Sequence, residues 1–404
     1  MKVNVIGGGL AGVECAWQLA ERGIYVILYE KRPDVKTPAH TTGFLAELVC
    51  SNSLKSCELT NAHGLLKWEM ERMQSLVLEV AKKTSVPAGK ALAVDRELFA
   101  RKITEIITEH SLIELRREEV QDLLEGIVVV ATGPLTSGVF ADTLMELVGE
   151  QALFFYDAVA PIVELSSLDM DKLFFASRYG VGEDYLNAPL TEEEYNVFYD
   201  ALIEAEQKAP HIDEDLFFEG CLPVEEIARR GKKALLFGVM KPVGIKDPKT
   251  GKMPFAVVQL RREDAEGRLW NLVGFQTRLR EPEQRRVFRL VPGLEKAEFV
   301  RYGRIHRNTY LCAPELLNWD LSLRNHSCTY IAGQLCGVEG YVESAWSGMW
   351  VGLCIASKLL RGSTPPPPPP DTITGALLNY IVASNSGNFK PMNANWGIVG
   401  LPPA

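Results

Sequence analysis

The chain has 404 residues, of which 47% are apolar and 24% are charged, and its formal net charge is −9. This length allows two or three domains with a large buried core. No apolar run approaches the roughly 20 residues that a membrane-spanning helix needs, and no secretion signal opens the chain, so we expect a cytoplasmic protein without a membrane partner. The acidic balance weighs against nucleic acid as a partner unless basic residues gather on one face.

The start of the chain predicts a dinucleotide site. A short apolar strand is followed by the pattern GxGxxG (Gly7, Gly9, Gly12), by a helix predicted over residues 10–22, and by a second strand that Glu30 closes. Glycine lets the backbone approach a pyrophosphate at a helix N-terminus, and the terminal carboxylate can accept hydrogen bonds from ribose hydroxyls. FAD, NAD and S-adenosylmethionine all fit this segment taken alone.

Two later segments favour FAD. Residues 126–137 predict a strand that ends in Ala-Thr-Gly, and residues 329–360 predict a strand, a glycine-rich loop and a long helix. Both are typical of two-dinucleotide-binding flavoproteins, where the later segment brings backbone amides near the flavin ring and pyrophosphate. Proteins that bind S-adenosylmethionine lack that later segment.

We therefore predict an α/β, glutathione-reductase-like flavoprotein. Its Rossmann-type FAD-binding domain would consist of residues 1–155 and 301–404, with an α+β domain inserted at 156–300. The residues predicted to contact the cofactor are Gly7, Gly9, Leu10, Ala11, Gly12, Glu30, Lys31, Thr132, Gly133, Gly333, Gly340 and Tyr341.

Amphipathic helices are predicted at residues 60–83, 94–107 and 191–207. The apolar stripe of the first includes several methionines, and packing against a sheet explains it better than a binding surface does. We expect His63 and His110 at the surface or as capping residues.

Eight cysteines are scattered without a CxxC pair, which argues against a zinc site and, in the cytoplasm, against disulfides. We expect no metal, and buried free thiols at most positions. Two cysteines stand out. Cys50 lies in the stretch AELVCSNSLKS, between apolar and small polar residues. Cys221 comes just before a helix predicted to start near Val224, a position that favours the nucleophilic thiolate.

An arginine-rich stretch at residues 278–307 predicts a basic face. We expect such a face to contact nucleic-acid phosphates, although a solvated helix surface remains the alternative; the candidates are Arg278, Arg280, Arg285 and Arg286. His306, flanked by two arginines, is predicted to stack on or hydrogen-bond to an aromatic ligand beside the flavin. The six-proline segment at 363–371 predicts a stiff polyproline II linker or surface strap.

The chain resembles the TrmFO family, the folate- and FAD-dependent tRNA (uracil-5-)-methyltransferases. The matching motifs run in order over nearly the whole chain and include VNVIGGGLAGVECAW, TPAHTTGFLAELVCSNSLKS, VPAGKALAVDRELFA, FEGCLPVEE, LLFGVMKPVG, RYGRIHRNTY, GVEGYVESA and MNANWGIV. Several of these stretches are absent from the related GidA-type enzymes, which modify the wobble uridine of tRNA.

The resemblance implies methylation at C5 of the T-loop uridine, at position 54 of tRNA. Methylenetetrahydrofolate would give the carbon, and NADPH or NADH would reduce the FAD. Cys50 and Cys221 match the two functional cysteines of the family, and His306 matches a histidine that stacks on the folate pterin, with Asn308 nearby.

The division of labour between the two thiols stays open. We expect Cys221 to attack C6 of uracil and Cys50 to accept a proton or protect the methylene group, but the reverse assignment is also possible. Three other functions remain as alternatives: a flavin oxidoreductase acting on a small molecule, a GidA-like wobble-uridine enzyme, and a flavoprotein that binds tRNA without methylating it.

Overall fold

A computed structural model describes residues 2–400, except for positions 36, 38, 137, 150–151, 181 and 209–221. Its strands are β1 (Lys2–Ile6), β2 (Tyr25–Tyr29), β3 (Ser53–Ser56), β4 (Ser85–Val86), β5 (Ala91–Val94), β6 (Ile113–Arg116), β7 (Ile127–Val130), β8 (Ala152–Val159), β9 (Ile162–Glu164), β10 (Phe174–Phe175), β11 (Tyr185–Leu190), β12 (Ala256–Arg262), β13 (Leu269–Leu272), β14 (Phe299–Arg301), β15 (Arg304–Leu311), β16 (Ser322–Leu323) and β17 (His326–Ile331). Its α-helices are α1 (Leu10–Ala20), α2 (Ala62–Arg72), α3 (Leu76–Lys83), α4 (Arg96–Glu109), α5 (Val139–Val148), α6 (Glu192–Glu204), α7 (Val224–Arg229), α8 (Lys232–Phe237), α9 (Glu281–Phe288), α10 (Ala313–Leu316), α11 (Tyr341–Arg361) and α12 (Ile373–Ala383).

The first sheet is mostly parallel and has the order β16-β17-β7-β1-β2-β6. Strands β17, β7, β1, β2 and β6 pair in parallel, and β16 is antiparallel to β17. The inner strands are runs of apolar residues such as VNVI and IVVV, as expected of strands covered on both faces. This sheet places the end of β1, the start of α1 and the end of β7 at one edge.

Helices α1 and α11 pack against each other unusually closely. A Cβ atom added at Gly348 would lie 2.0 Å from the backbone oxygen of Ala11, and one added at Gly352 would lie 2.9 Å from Cβ of Gln18. Only glycine, which has no side chain, allows the backbones of the two helices to approach this closely. The long C-terminal helix is therefore fixed beside the glycine turn at the start of the chain.

The second sheet is antiparallel, in the order β10-β11-β12-β13-β9-β14, and it has its own core. The buried residues of that core all lie between Val163 and Ala297 and include Phe198, Trp270 and Phe288. Strands β8 and β15 form a separate antiparallel pair, with Val159 opposite Arg304, through which the chain enters and leaves the second sheet. The domain boundaries predicted at 155/156 and 300/301 remain a prediction that this arrangement supports.

Of the three predicted amphipathic helices, two are confirmed and one is wrong. Residues 96–109 and 192–204 are helical, and Asp95 and Thr191 accept hydrogen bonds from the N–H groups of Leu98 and Glu194 as N-caps. Residues 60–83, predicted as one helix, form α2 and α3 instead. Gln74 adopts a φ of 61° between them, and Ser75 caps the second helix. The apolar stripe continues across the break, which is why periodicity alone missed it.

The proline-rich segment leads directly into α12. Residues 365–369 have no regular helix or strand, and the hydroxyl of Thr372, the N-cap of α12, donates to the carbonyl of Pro369 at 2.6 Å. A Cβ atom at Gly375 would lie 1.9 Å from the same carbonyl, so α12 begins against the proline backbone. No helix in the described part of the chain is long and apolar enough to cross a membrane.

Candidate functional site

A deep cleft opens where the glycine turn meets the end of β7. It is lined by residues of the turn, of the end of β2, of the loop after β7 and of the loop before α11. The first α-helical bond of α1 runs from the N–H of Val13 to the oxygen of Gly9, so the N–H groups of Leu10 and Ala11 precede it. Positive partial charge at this helix start faces the cleft.

The glycines of the turn have distinct reasons to be glycine. Gly7 has a φ of +108° and lies against the backbone of Ala131, and Gly12 would clash with the oxygen of Gly7 if it carried a side chain. Gly9 has open space where its Cβ would be. The turn is thus tightly packed behind and empty in front, as a pyrophosphate site requires.

Glu30 is buried at the end of β2 and is saturated with donors. Its carboxylate accepts hydrogen bonds from the N–H of Gly8 at 3.0 Å and from the backbone and guanidinium of Arg32 at 2.9 to 3.0 Å. Burial raises the pKa of Glu30, but hydrogen bonds to Arg32 and its charge outweigh burial, and the pKa falls below its usual range. Ribose hydroxyls that donate to Glu30 would therefore share its carboxylate oxygens with the guanidinium group of Arg32.

The structure gathers most of the other predicted cofactor residues around the same cleft. Its lining includes Lys31, Thr132, Gly133, Gly333 and Tyr341. Gly340 lies on an adjoining cavity instead. These positions come from four separate parts of the chain, and the sheet edge brings them together.

A second cavity adjoins the first. Both are lined by Val49, Pro134, Leu135, Gln334, Tyr341 and Ser344. The second cavity adds Cys50 and the buried Asn308 to these shared walls. A ligand in the cleft and a ligand in the cavity would therefore meet at Tyr341, next to the Cys50 thiol.

Cys50 is held in place from three directions. The hydroxyl oxygen of Tyr341 accepts hydrogen bonds from the N–H groups of Cys50 at 2.7 Å and Ser51 at 3.1 Å. Arg96 donates to the carbonyl of Leu48 at 2.6 Å, and Arg301 donates to the carbonyl of Val49. Both guanidinium groups interact electrostatically with Cys50. A partly exposed thiol in this setting differs from a packing residue.

A residue of the second sheet also holds the loop that carries Cys50. The guanidinium of Arg261 in β12 donates to the side chains of Ser51 at 2.8 Å and Asn52 at 3.0 Å. The amide of the buried Asn52 in turn donates to the carbonyls of Val94 and Arg262, both at 2.9 Å. The loop that carries Cys50 is therefore a junction between the two sheets.

The other described cysteines do not share this setting. Cys15, Cys312, Cys336 and Cys354 are buried, and burial raises the pKa of Cys336 to about 12. The remaining two, Cys57 and Cys328, are exposed and lie outside both cavities.

Two of the predicted site residues are not described in full. Cys221 lies outside the described residues, although the N–H of Val224, three residues later, donates to the carbonyl of Gln276 at 2.7 Å, and Gln276 lines the second cavity. His306 belongs to β15, opposite Asp157 of β8, but its side chain lies outside the described part. Their roles remain predictions.

The second cavity contains a charged group that the sequence reasoning missed. The carboxylate of Glu343 is buried and lies 3.3 Å from Nδ1 of His63, 3.6 Å from Nζ of Lys55 and 3.0 Å from the N–H of Ala394. Burial raises the pKa of Glu343, but Lys55 and His63 outweigh it and lower the pKa to about 2. His63 is thus a cavity residue, and its expected surface or capping role is wrong. His110 follows the last residue of α4 and contacts Glu21, which agrees with its expected surface or capping role.

The predicted arginine face is also partly wrong. Arg278 is fully buried and pairs with the buried Glu226, because a buried carboxylate needs a cationic partner. Arg280 pairs with Glu206 at 3.2 Å and Arg286 with Glu283 at 2.6 Å. Arg285 donates to the hydroxyl of Tyr302 at 2.6 Å. Contacts between the three exposed arginines and RNA remain a prediction.

The residues present fit FAD. The open front of Gly9 and the helix start behind it suit a dinucleotide pyrophosphate, and the shared wall at Tyr341 suits the isoalloxazine ring. Within the described residues, no cluster of three or more His, Cys, Asp or Glu side chains could hold a metal ion.

Comparisons with known proteins agree with this site. A family model described as glucose inhibited division protein A (GIDA) matches residues 2–363. A protein of Pelotomaculum thermopropionicum named methylenetetrahydrofolate--tRNA-(uracil-5-)-methyltransferase TrmFO is 56% identical over 405 residues, which cover 99% of this chain and 92% of that protein. A protein of Dictyoglomus thermophilum with the same name is 56% identical, covering 98% and 91% of the two chains.

The fold has a solved counterpart. The crystal structure of Aquifex aeolicus GidA superimposes with a TM-score of 0.71 at 16% sequence identity, covering 94% of this chain and 67% of that one. With the parallel sheet and glycine turn, it confirms the predicted α/β fold with a Rossmann-type FAD-binding domain. The resemblance drawn from the sequence motifs is confirmed as well: the chain belongs to the GIDA family and, within it, to the TrmFO proteins.

Proposed function

We propose that this protein is a tRNA (uracil-5-)-methyltransferase that takes its one-carbon unit from 5,10-methylenetetrahydrofolate and uses FAD. The observation that carries this proposal is identity above 50%, over nearly the whole chain, with several proteins that bear this enzyme name. The finer assignments are that the substrate is the T-loop uridine in the T-arm and that NADPH or NADH reduces the flavin.

The chain's own residues would hold the cofactor along the first cleft. The amides of Leu10 and Ala11 would face the pyrophosphate, Glu30 and Lys31 would contact the ribose, and Tyr341 would lie beside the flavin ring; all of these residues line the cleft. When bound in its reduced form, FAD supplies the hydride that completes the methyl group. The second cavity, lined by Asn308 and Glu343, would take the pterin of the folate and the target uracil in turn.

Uracil C5 is a poor nucleophile, so a thiol is needed to activate it. In the proposed sequence the thiolate of Cys221 forms a bond to C6, and the C5–C6 π electrons move towards O4. C5 then bonds to the methylene carbon as the first of its two C–N bonds to the folate breaks with its electron pair. The C5 proton passes to a base, for which Cys50 is the candidate. The electron pair of the C5–H bond forms the exocyclic double bond while the second C–N bond breaks, and tetrahydrofolate leaves with the electron pair of that bond. Hydride adds to the exocyclic methylene, and the C6–S bond breaks to restore the thiolate.

An assay on unmodified tRNA tests the function. Incubated with methylenetetrahydrofolate and NADPH or NADH, the protein should convert one T-loop uridine to 5-methyluridine, scored by nuclease digestion and mass spectrometry. Omitting the folate donor should abolish the product. If 5-methyluridine does not form under any of these conditions while the protein binds FAD, the proposal is wrong.

The roles of the thiols have a separate test. T-arm RNA containing 5-fluorouridine should trap a covalent complex with the wild type and with Cys50→Ala, but not with Cys221→Ala. An adduct formed by Cys221→Ala at the wild-type level would transfer the nucleophilic role to another residue. A small-molecule oxidoreductase would turn over without either thiol.

A GidA-like reaction at the wobble uridine is the second candidate, because the GIDA model covers most of the chain and the superimposed structure is GidA. Mapping the modified nucleotide decides between them. Product at the wobble position would favour the second candidate, and tight tRNA binding without any product would favour a binding protein.

A further inference from the structure

The segment from Arg229 to Met253, here called the basic segment, carries the densest positive charge of the second-sheet region. Its 25 residues contain eight lysines and arginines and a single acidic residue, Asp247, in a chain whose net charge is −9. It comprises the end of α7, helix α8 and the loop that leads to β12.

Most of its lysines lack an acidic partner. Lys233, Lys241, Lys246 and Lys252 form no ion pair with any described residue, and the ammonium group of Lys249 donates to the backbone carbonyl of Asp171. The exposed arginines of the α9 region, by contrast, contact carboxylates or a tyrosine hydroxyl. Unpaired cations generate the stronger field and lose no ion pair when a polyanion binds.

Exposed apolar side chains accompany these lysines. Phe237 is 78% exposed and Tyr179 is 72% exposed, the two highest values among the large hydrophobic residues of the described chain. The N–H of Tyr179 donates to the carbonyl of Gly244 at 2.8 Å, so this tyrosine stands on the loop of the basic segment. Arg178 donates to the carbonyl of Val243 at 2.7 Å and adds another cation there.

The basic segment is connected to the second cavity. It begins at the last residue of α7, and the first residue of that helix, Val224, donates its N–H to the carbonyl of Gln276 on the cavity wall. Four residues, 225–228, separate Val224 from the first exposed arginine, Arg229. A polyanion lying along the basic segment would therefore approach the cavity from the side that carries the start of α7.

We propose that the basic segment is the surface on which the RNA substrate docks. Its unpaired lysines contact phosphates, and the rings of Phe237 and Tyr179 stack on unpaired bases, the combination that single-stranded and loop RNA favours. This inference rests on the proposed function for the identity of the RNA. It moves the main docking surface away from the arginines of α9.

The test is a salt titration of the binding of unmodified tRNA by FAD-loaded protein. A Lys233→Gln, Lys246→Gln, Lys252→Gln variant should bind roughly tenfold more weakly, and its slope of log Kd against log salt should fall by about 2 to 3, because each lost phosphate contact removes about 0.7 to 0.9. A Phe237→Ala, Tyr179→Ala variant should lose affinity with an unchanged slope.

The matched control replaces three exposed lysines of α3 and α4, as Lys82→Gln, Lys83→Gln, Lys102→Gln, and should bind like the wild type. Reduction of the flavin by NADPH or NADH, and the melting temperature, report intact folding for every variant. A second variant, Arg280→Gln, Arg285→Gln, Arg286→Gln, tests the alternative that the arginines of the α9 region bind the RNA.

The inference is overturned if the basic-segment lysine variant keeps the wild-type affinity and the wild-type salt slope. If the α9 variant then has a lower affinity and a lower slope, the main docking surface is the α9 region instead. The inference is also overturned if the basic-segment lysines only change self-association in sedimentation. Wild-type protein that binds no tRNA at any salt concentration would instead remove the proposed function, so the two failures are distinguishable.

Discussion

Glu343 is a buried carboxylate whose neighbours keep it ionised. Its pKa is about 2 in the folded chain against 4.5 for the unperturbed group, so it stabilises the fold fully above about pH 4.5 and loses that contribution as the pH falls towards 2. The contribution is on the order of 3 kcal/mol. Glu343→Gln should therefore flatten the loss of unfolding free energy between pH 5 and pH 3, measured by urea titration. Equal slopes for both proteins would contradict the assignment.

Tyr341 positions Cys50 through its hydroxyl oxygen. Tyr341→Phe leaves the N–H groups of Cys50 and Ser51 without this acceptor, at a cost of about 1 to 3 kcal/mol per unsatisfied group. We expect a lower kcat and faster alkylation of Cys50, with FAD still bound. Tyr380→Phe is the control, because the hydroxyl of Tyr380, a residue of α12, donates to the carbonyl of Lys390 far from Cys50 in the chain. A kcat equal to the wild-type value would show that the hydroxyl does not position the thiol.

The sequence was informative about single residues where a local pattern carries the chemistry. Gly7, Gly9 and Glu30 follow a spacing that one turn and one strand dictate, and they line the cleft or support it. Glu343 could not be found this way. Its role depends on His63 and Ala394, which lie 280 residues before it and 51 residues after it in the chain. The paired state of Arg278 likewise depends on a distant glutamate.

Among the elements, the α1–α11 contact sets the shape of the dinucleotide end. Gly348→Ala would force a methyl group against the backbone of Ala11, next to the glycine turn, and should destabilise the fold by about 1 to 3 kcal/mol and weaken FAD retention. Gly352→Ala should cost less, because its nearest contact is 2.9 Å, to Cβ of Gln18, against 2.0 Å at Gly348. Melting temperature and FAD content measure both effects. Equal stability of the two variants would show that the contact relaxes.

Helix boundaries were predictable where capping residues mark them. Thr191 and Glu194 form a capping box, and the helix begins where it was expected. The break between α2 and α3 escaped prediction because Ser75 caps α3 in the middle of an uninterrupted apolar stripe. A serine within such a stripe is typical of a surface position on one continuous helix. The break is evident only from the positive φ of Gln74.

Across the whole molecule, Arg261 joins the two sheets at the loop of Cys50. Arg261→Met would remove its bonds to Ser51 and Asn52 while keeping a side chain of similar length. We expect the FAD content to stay at the wild-type level and kcat to fall by about tenfold, since a bond to a charged group is worth roughly 1.5 to 3 kcal/mol. Arg268→Met, an exposed arginine in the same region, serves as the control. Unchanged kcat in Arg261→Met would mean that the second sheet does not support the loop.

The antiparallel pair of β8 and β15 brings the two ends of the second-sheet unit side by side, with Val159 opposite Arg304. The opposed backbones of such a pair lie only about 5 Å apart. An inserted unit whose two ends are neighbours can gain, lose or exchange residues without displacing the two strands that flank it. Because of this geometry, related proteins can keep the parallel-sheet frame and still replace the inserted unit.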